Sequence, residues 1–201
     1  MMGLNFKNID VEKAFVHHNR NRRLGIYDIG LIRTKEKIEF NPRVNKILLP
    51  SNDDLISPGS NVTVIGMGKN ELDFDFYRHN RTKYLDYYGS VLEITVPVQN
   101  NARCSEIGYN FIPETMLCHE MEGKFPSKGD SGGPLFKKVV THSSGKRVET
   151  DYQFGIVSKG NPCCENNWEM YTRVSAFCDW ISENTQKEVE CSEPEKDELE
   201  S

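Results

Sequence analysis

Nowhere in the 201 residues is there an apolar run of about 18, so no helix able to cross a membrane is expected. No Cys-x-x-Cys pair is matched by a second Cys or His pair, which removes a structural zinc site; no metal and no cofactor are expected. Positive charge is nowhere clustered as a nucleic-acid footprint requires. The stretch 1–13 holds no apolar segment of the kind that directs secretion.

What is present fits a folded β protein. The length suffices for one large β domain or two small ones sharing an interface. The formal charge of −5 is localised: residues 186–201 carry seven acids against Lys187 and Lys196, leaving the body neutral. That acidic stretch reads as a mobile, solubilising tail. Six cysteines favour disulfides and an oxidising compartment. Asn61-Val62-Thr63 and Asn80-Arg81-Thr82 are glycosylation sequons. A secreted composition without a leader predicts an N-terminus further upstream.

Short apolar-alternating runs separated by Gly, Pro, Asn and Ser clusters argue an all-β chain. Strands are predicted at 13–16, 29–33, 61–67, 91–98, 116–118, 134–141, 153–158 and 169–174. Ser143-Ser144-Gly145-Lys146 reads as a hairpin tip. One helix is predicted over 175–184, where Val174, Phe177, Cys178 and Ile181 share a face. Residues 69–88, rich in Phe and Tyr, read either as a substrate-contacting loop or as a surface loop shielded by a glycan on Asn80.

The string Gly129-Asp130-Ser131-Gly132-Gly133-Pro134 carries the chemistry. A serine nucleophile needs an exposed hydroxyl and neighbouring backbone N–H groups aimed at the developing oxyanion, and flanking glycines allow both. Together with Tyr27-Asp28-Ile29-Gly30-Leu31-Ile32, Gly66-Met67-Gly68, and Tyr171-Thr172-Arg173-Val174 leading to Trp180-Ile181, it resembles the chymotrypsin/trypsin family over all but the acidic tail. The resemblance implies a trypsin-like double β-barrel with a C-terminal helix. The protease domain would span 1–185, with a first barrel over roughly 1–55, a second over roughly 56–174, and a disordered tail from 186. It further implies Ser131 as nucleophile, Gly129 and Ser131 N–H groups as oxyanion hole, and Asp28 as the carboxylate that orients an imidazole. The implied partner is a peptide or protein bound by a secreted monomer.

The pattern breaks at the histidine. In this family the aspartate precedes the serine by roughly 93 residues and the histidine precedes the aspartate by roughly 45. Here 103 residues separate Asp28 from Ser131, but only 27 precede Asp28, so the catalytic histidine is expected to be absent. His17 and His18 lie too close to Asp28 to serve, while His79, His119 and His142 read as solvated surface histidines. The first barrel is expected to lack roughly four of six strands, exposing pairing edges and apolar surface. An ammonium that pairs with Asp130 in the family would also be missing, which predicts a costly unpaired carboxylate and a malformed oxyanion hole.

The resemblance pairs Cys104 with Cys118 and leaves Cys163, Cys164, Cys178 and Cys191 open to several pairings. Another family disulfide is missing at both ends, with Val62 and Lys137 in its places. The specificity pocket implied by the resemblance comprises Phe125, Lys128, Lys159, Gly160 and Glu169. Phe125 stands at the floor where trypsin has aspartate, and Glu169 falls near the back wall, so aromatic, leucine or basic preferences all stay open. Two functions follow: a serine endopeptidase that is inactive as written for want of the histidine, or a non-enzymatic homologue used as a binding or regulatory module.

Overall fold

In the computed structural model, which describes residues 8–68, 91–161 and 167–195, two antiparallel sheets account for the strands. The smaller pairs β1 (Val11–Val16) with β2 (Gly30–Thr34). On it Val11, Val16 and Ile32 are 52%, 62% and 69% exposed.

The larger sheet takes in β3 (Asn61–Gly66), β4 (Leu92–Pro97), β5 (Met116–Glu120), β6 (Pro134–Ser143), β7 (Lys146–Asn161) and β8 (Trp168–Arg173). Its order is β4-β3-β6-β7-β8-β5, with every pairing antiparallel. The ends meet: Val98 bridges to His119, and the Gln99 N–H donates to the Cys118 carbonyl at 2.9 Å, curling the sheet into a barrel. Alternation along the strands fills its interior, because successive side chains point to opposite faces. Val62, Val64, Val96, Leu135, Phe154 and Tyr171 are all buried there.

A second apolar cluster joins the halves. Val174–Phe177 form a 3-10 turn that runs into helix α2 (Cys178–Asn184, numbered after α1 at Asn101–Ile107). Val174, Phe177 and Ile181 bury against Ile29, with Tyr27 and Trp180 packed alongside. The segment that carries Asp28 is thereby clamped between the C-terminal helix and the sheet.

Several expectations need correction. Helix α1 was not anticipated; its only local cue is Asn100, whose side chain accepts the Arg103 N–H as an N-cap. The β6–β7 hairpin is longer than expected, turning at Ser144 (φ 52°) and Gly145 (φ 76°). The acidic tail is not free along its whole length. Cys191 is bonded to Cys178, Ser192 bridges to Pro50, and the Glu195 N–H donates to the Tyr152 hydroxyl at 3.3 Å. Charge composition predicts mobility from 186 onward; a covalent bond and a strand-like strap override it as far as Glu195. The Cys104–Cys118 disulfide is formed, packed with Met116 and Met170 beneath α1. Lys137, standing where the family has a half-cystine, is buried and donates to the Leu55 carbonyl at 2.9 Å. The loop at 69–88, the Asn80 sequon, Cys163, Cys164 and His79 lie outside the described residues.

Candidate active site

Ser131 sits exposed on the loop that enters β6. Its hydroxyl has no hydrogen-bond partner among the described residues, and neither do the N–H groups of Gly129 and Ser131. Their neighbours in the loop do: the Asp130 N–H donates to the Ser127 carbonyl (3.0 Å), the Gly132 N–H to the Val157 carbonyl (2.9 Å) and the Gly133 N–H to the Asp130 carbonyl (2.8 Å). Gly129 has φ 109°, a value L-residues rarely adopt. Two uncommitted amides thus flank an uncommitted hydroxyl, the donor set an oxyanion needs.

Asp130 is not the unpaired carboxylate expected from the sequence. Its Oδ1 accepts the Gly68 N–H at 2.6 Å and its Oδ2 the Ser127 N–H at 2.8 Å. Amides stand in for a cation, because hydrogen bonds to the ionised form offset its desolvation. This explains Gly66-Met67-Gly68: a Cβ on either glycine would overlap the Asp130 carboxylate.

Asp28 follows Tyr27, whose φ of 52° is unusual for an aromatic residue. Packing holds it there, with the Tyr27 ring stacked on His17 at 5.3 Å and edge-on to Phe177. The Asp28 carbonyl accepts from the Thr172 hydroxyl at 2.8 Å. Its carboxylate is engaged on both oxygens: Arg20 Nε–H donates to Oδ1 at 2.7 Å and the Ser158 hydroxyl to Oδ2 at 2.9 Å. Ser158, Arg20 and Thr172 were missed by the sequence reading. Ser158 and Thr172 lie 130 and 144 positions from Asp28, and no local pattern points to either.

None of the four described histidines hydrogen-bonds to Asp28 or Ser131. His17 Nδ1 accepts the Asn19 N–H at 3.2 Å, and its ring is stacked on His18; burial, then the His18 charge, lowers its pKa. His119 is not the surface residue expected but is buried in β5. Its Nε2 lies 3.0 Å from the Lys124 carbonyl, which can only accept, so Nε2 carries the proton and Nδ1 accepts the Tyr171 hydroxyl at 2.7 Å. Burial lowers its pKa. His142 lies on β6 opposite Arg147.

The pocket candidates divide. Glu169 is buried, pairs in register with Gly160, and lies against it so closely that a Cβ there would overlap the carboxylate. Burial and then the charge of Asp130 push its pKa up to about 8. Lys159 turns away, its Nζ donating to the carbonyls of Leu24 (2.8 Å) and Tyr109 (3.0 Å). Phe125 is half-buried and Lys128 exposed on the loop leading to Ser131.

A β-barrel joined to a smaller second sheet, with an exposed serine between uncommitted amides and a carboxylate held by Arg20 and Ser158, defines the architecture of a chymotrypsin-type serine peptidase. The sequence comparisons agree. The Trypsin family matches residues 4–181, and the chain belongs to that family. It is 31% identical to vitamin K-dependent protein C of Oryctolagus cuniculus over 180 residues, covering 86% of this chain and 36% of that protein. To serine proteinase stubble of Drosophila melanogaster it is 34% identical over 183 residues, 87% of this chain and 21% of the other. Chymotrypsin-2 of Vespa crabro is 29% identical over 175 residues, 87% of this chain and 69% of the relative. The chain thus spans well under half of the rabbit and fly proteins.

Proposed function

We propose that this chain is a serine-endopeptidase scaffold, with Ser131 as nucleophile and Asp28 as imidazole-orienting carboxylate, and that its 201 residues by themselves do not hydrolyse peptides. The observation that carries this is the state of Asp28: Arg20 and Ser158 hold its two oxygens, and no described imidazole reaches it or Ser131. An unassisted serine hydroxyl is a poor nucleophile at neutral pH, and the family's chemistry depends on a histidine that removes its proton and returns it to the leaving amine. With that imidazole supplied, Ser131 would attack the peptide carbonyl, the Gly129 and Ser131 N–H groups would hold the oxyanion, and an acyl-enzyme would form. Two disulfides in the barrel and tail favour an extracellular setting, with a protein or peptide as partner.

A second reading, a binding module without catalysis, draws support from Arg20, whose guanidinium occupies one of the Asp28 oxygens. Hydrolysis of a panel of peptide esters by the purified chain, with Ser131→Ala as control, tests the proposal. The expected result is no turnover above the control; turnover that depends on Ser131 would overturn it.

A further inference from the structure

Between β1 and Asp28 the chain makes an exposed tip with the sequence Asn19-Arg20-Asn21-Arg22-Arg23-Leu24. Positions 20, 22 and 23 are arginine, and no acid lies between Glu12 and Asp28. The guanidinium groups of Arg22 and Arg23 have no hydrogen-bond or ion-pair partner among the described residues. The tip is fastened largely to itself. Asn21 Oδ1 accepts the Arg23 and Leu24 N–H groups, each at 3.1 Å, and the Asn21 carbonyl accepts the Gly25 N–H at 2.8 Å. Arg20 on Asp28 and Lys159 on the Leu24 carbonyl tie it to the body, both at the surface, where such contacts are weakly held. A turn closed by its own short-range bonds opens without disturbing the sheets beside it. Exposed tips of this kind are where proteolytic nicking concentrates.

The tip is a poor seat for an anion. Its Arg23 and Leu24 N–H groups are spent on Asn21, and Arg20 is spent on Asp28. What it presents instead is a linear order, with arginines one, two and four residues before the Arg23–Leu24 bond. The Arg23 carbonyl, at that bond, accepts no hydrogen bond among the described residues. A second exposed pair of bases, Lys146-Arg147, lacks this order. Ser144 occupies its fourth place, Arg147 is ion-paired to Glu149 at 2.8 Å, and both bases lie in register against β6.

We propose that the Arg23–Leu24 peptide bond is a processing site for a separate endopeptidase whose acidic pockets take Arg20, Arg22 and Arg23. The step is a hydrolysis. The C–N bond breaks, water supplies a hydroxyl to the Arg23 carbonyl carbon and a hydrogen to the Leu24 nitrogen, and the new ends ionise to a carboxylate and an ammonium. For the three arginines to be read together, Arg20 leaves Asp28 Oδ1 and enters the processing enzyme. All six cysteines follow the cut, the first of them at 104, so no disulfide rejoins the two pieces. Arg20 and Asp28 then lie on separate chains, and the guanidinium that occupies the carboxylate is no longer tethered to it across the tip. The inference goes beyond the peptidase-scaffold reading and needs no reaction at Ser131.

The test is digestion of the purified intact chain by a soluble, calcium-dependent subtilisin-type endopeptidase selective for Arg-x-Arg-Arg, read by intact mass and by sequencing of new amino termini. A synthetic peptide of residues 16–27 is digested in parallel. One cut is expected, giving 1–23 and 24–201 with a new terminus at Leu24-Gly25-Ile26. Ser131→Ala should be cut identically, and Arg23→Ala should stay whole. Arg20→Ala should be cut at least about tenfold more slowly, because a pocket built for a guanidinium rejects a side chain without one. That sign is diagnostic: removing Arg20 also unties the tip from Asp28, so a tip cut only for its looseness would be cut faster. Refusal of the peptide, an intact chain left whole while the peptide is cut, a first cut after Arg147, a cut that needs Ser131, or an Arg20→Ala variant cut as fast as the parent would overturn the proposal.

Discussion

Replacing Glu169 by Gln in the unliganded protein should reverse the way stability changes with pH. Burial first, and the Asp130 charge second, raise this carboxyl from 4.5 to about 8 in the folded chain. Between those values the folded protein holds a proton that the unfolded chain has released, so every rise in pH favours unfolding; below 4.5 and above about 8 the effect is level. At about 1.4 kcal/mol per pH unit, the wild-type chain should lose about 4 kcal/mol between pH 5 and pH 8.5 through this one group. For a domain of this size that is a fall in Tm of about 8–15 °C. His17 and His119, both with lowered pKa values, act oppositely: the unfolded chain takes up protons below 6.5 that the folded one refuses, so stability falls as pH drops. The difference between wild type and Glu169→Gln cancels those contributions and isolates the carboxyl. Differential scanning calorimetry of both proteins over that range is the assay. The Gln variant should be the more stable above pH 8 and should lack the alkaline decline. Parallel curves for the two proteins would refute the claim that a neutral, unpartnered acid is buried beneath Gly160.

Tyr171→Phe removes the hydroxyl that His119 Nδ1 accepts, leaving a buried ring nitrogen without its partner; a loss of about 1–3 kcal/mol in urea unfolding is expected, and a change below about 0.5 kcal/mol would contradict the assigned hydrogen bond. The Cys178→Ser/Cys191→Ser double variant opens a link between residues 13 apart and frees the strap at Ser192; it should lower stability by about 3 kcal/mol in oxidising buffer and be indifferent to reductant at that site.

Local chemistry was legible where it sits in consecutive residues. Gly129 to Pro134 reads as a nucleophile loop because glycine on both sides of a serine has few other uses, and the strand at 61–67 reads from its alternating valines. Gly66-Met67-Gly68 could be recognised as a landmark, but its reason could not: the glycines make room for the Asp130 carboxylate, 62 positions from Gly68. The same distance problem hid Ser158 and Thr172 around Asp28, while Arg20, eight positions away, carries no local signal that aims it at the carboxylate. His119 was misread because a polar residue beside a cysteine says nothing of burial, whereas its partner Tyr171 lies across a strand pair. The tail was misread because seven acids signal solvation more strongly than one cysteine signals anchoring. Glu169 was visible as an acid near the pocket wall; that it is buried and unpaired depends on Asp130, Lys159 and Gly160 being brought around it.

The reactivity of Ser131 tests the central claim most directly. Incubating the purified chain with a fluorophosphonate and weighing the intact protein should give no adduct beyond that seen with Ser131→Ala, because nothing among the described residues accepts the serine proton. A stoichiometric adduct mapped to Ser131 would contradict the account.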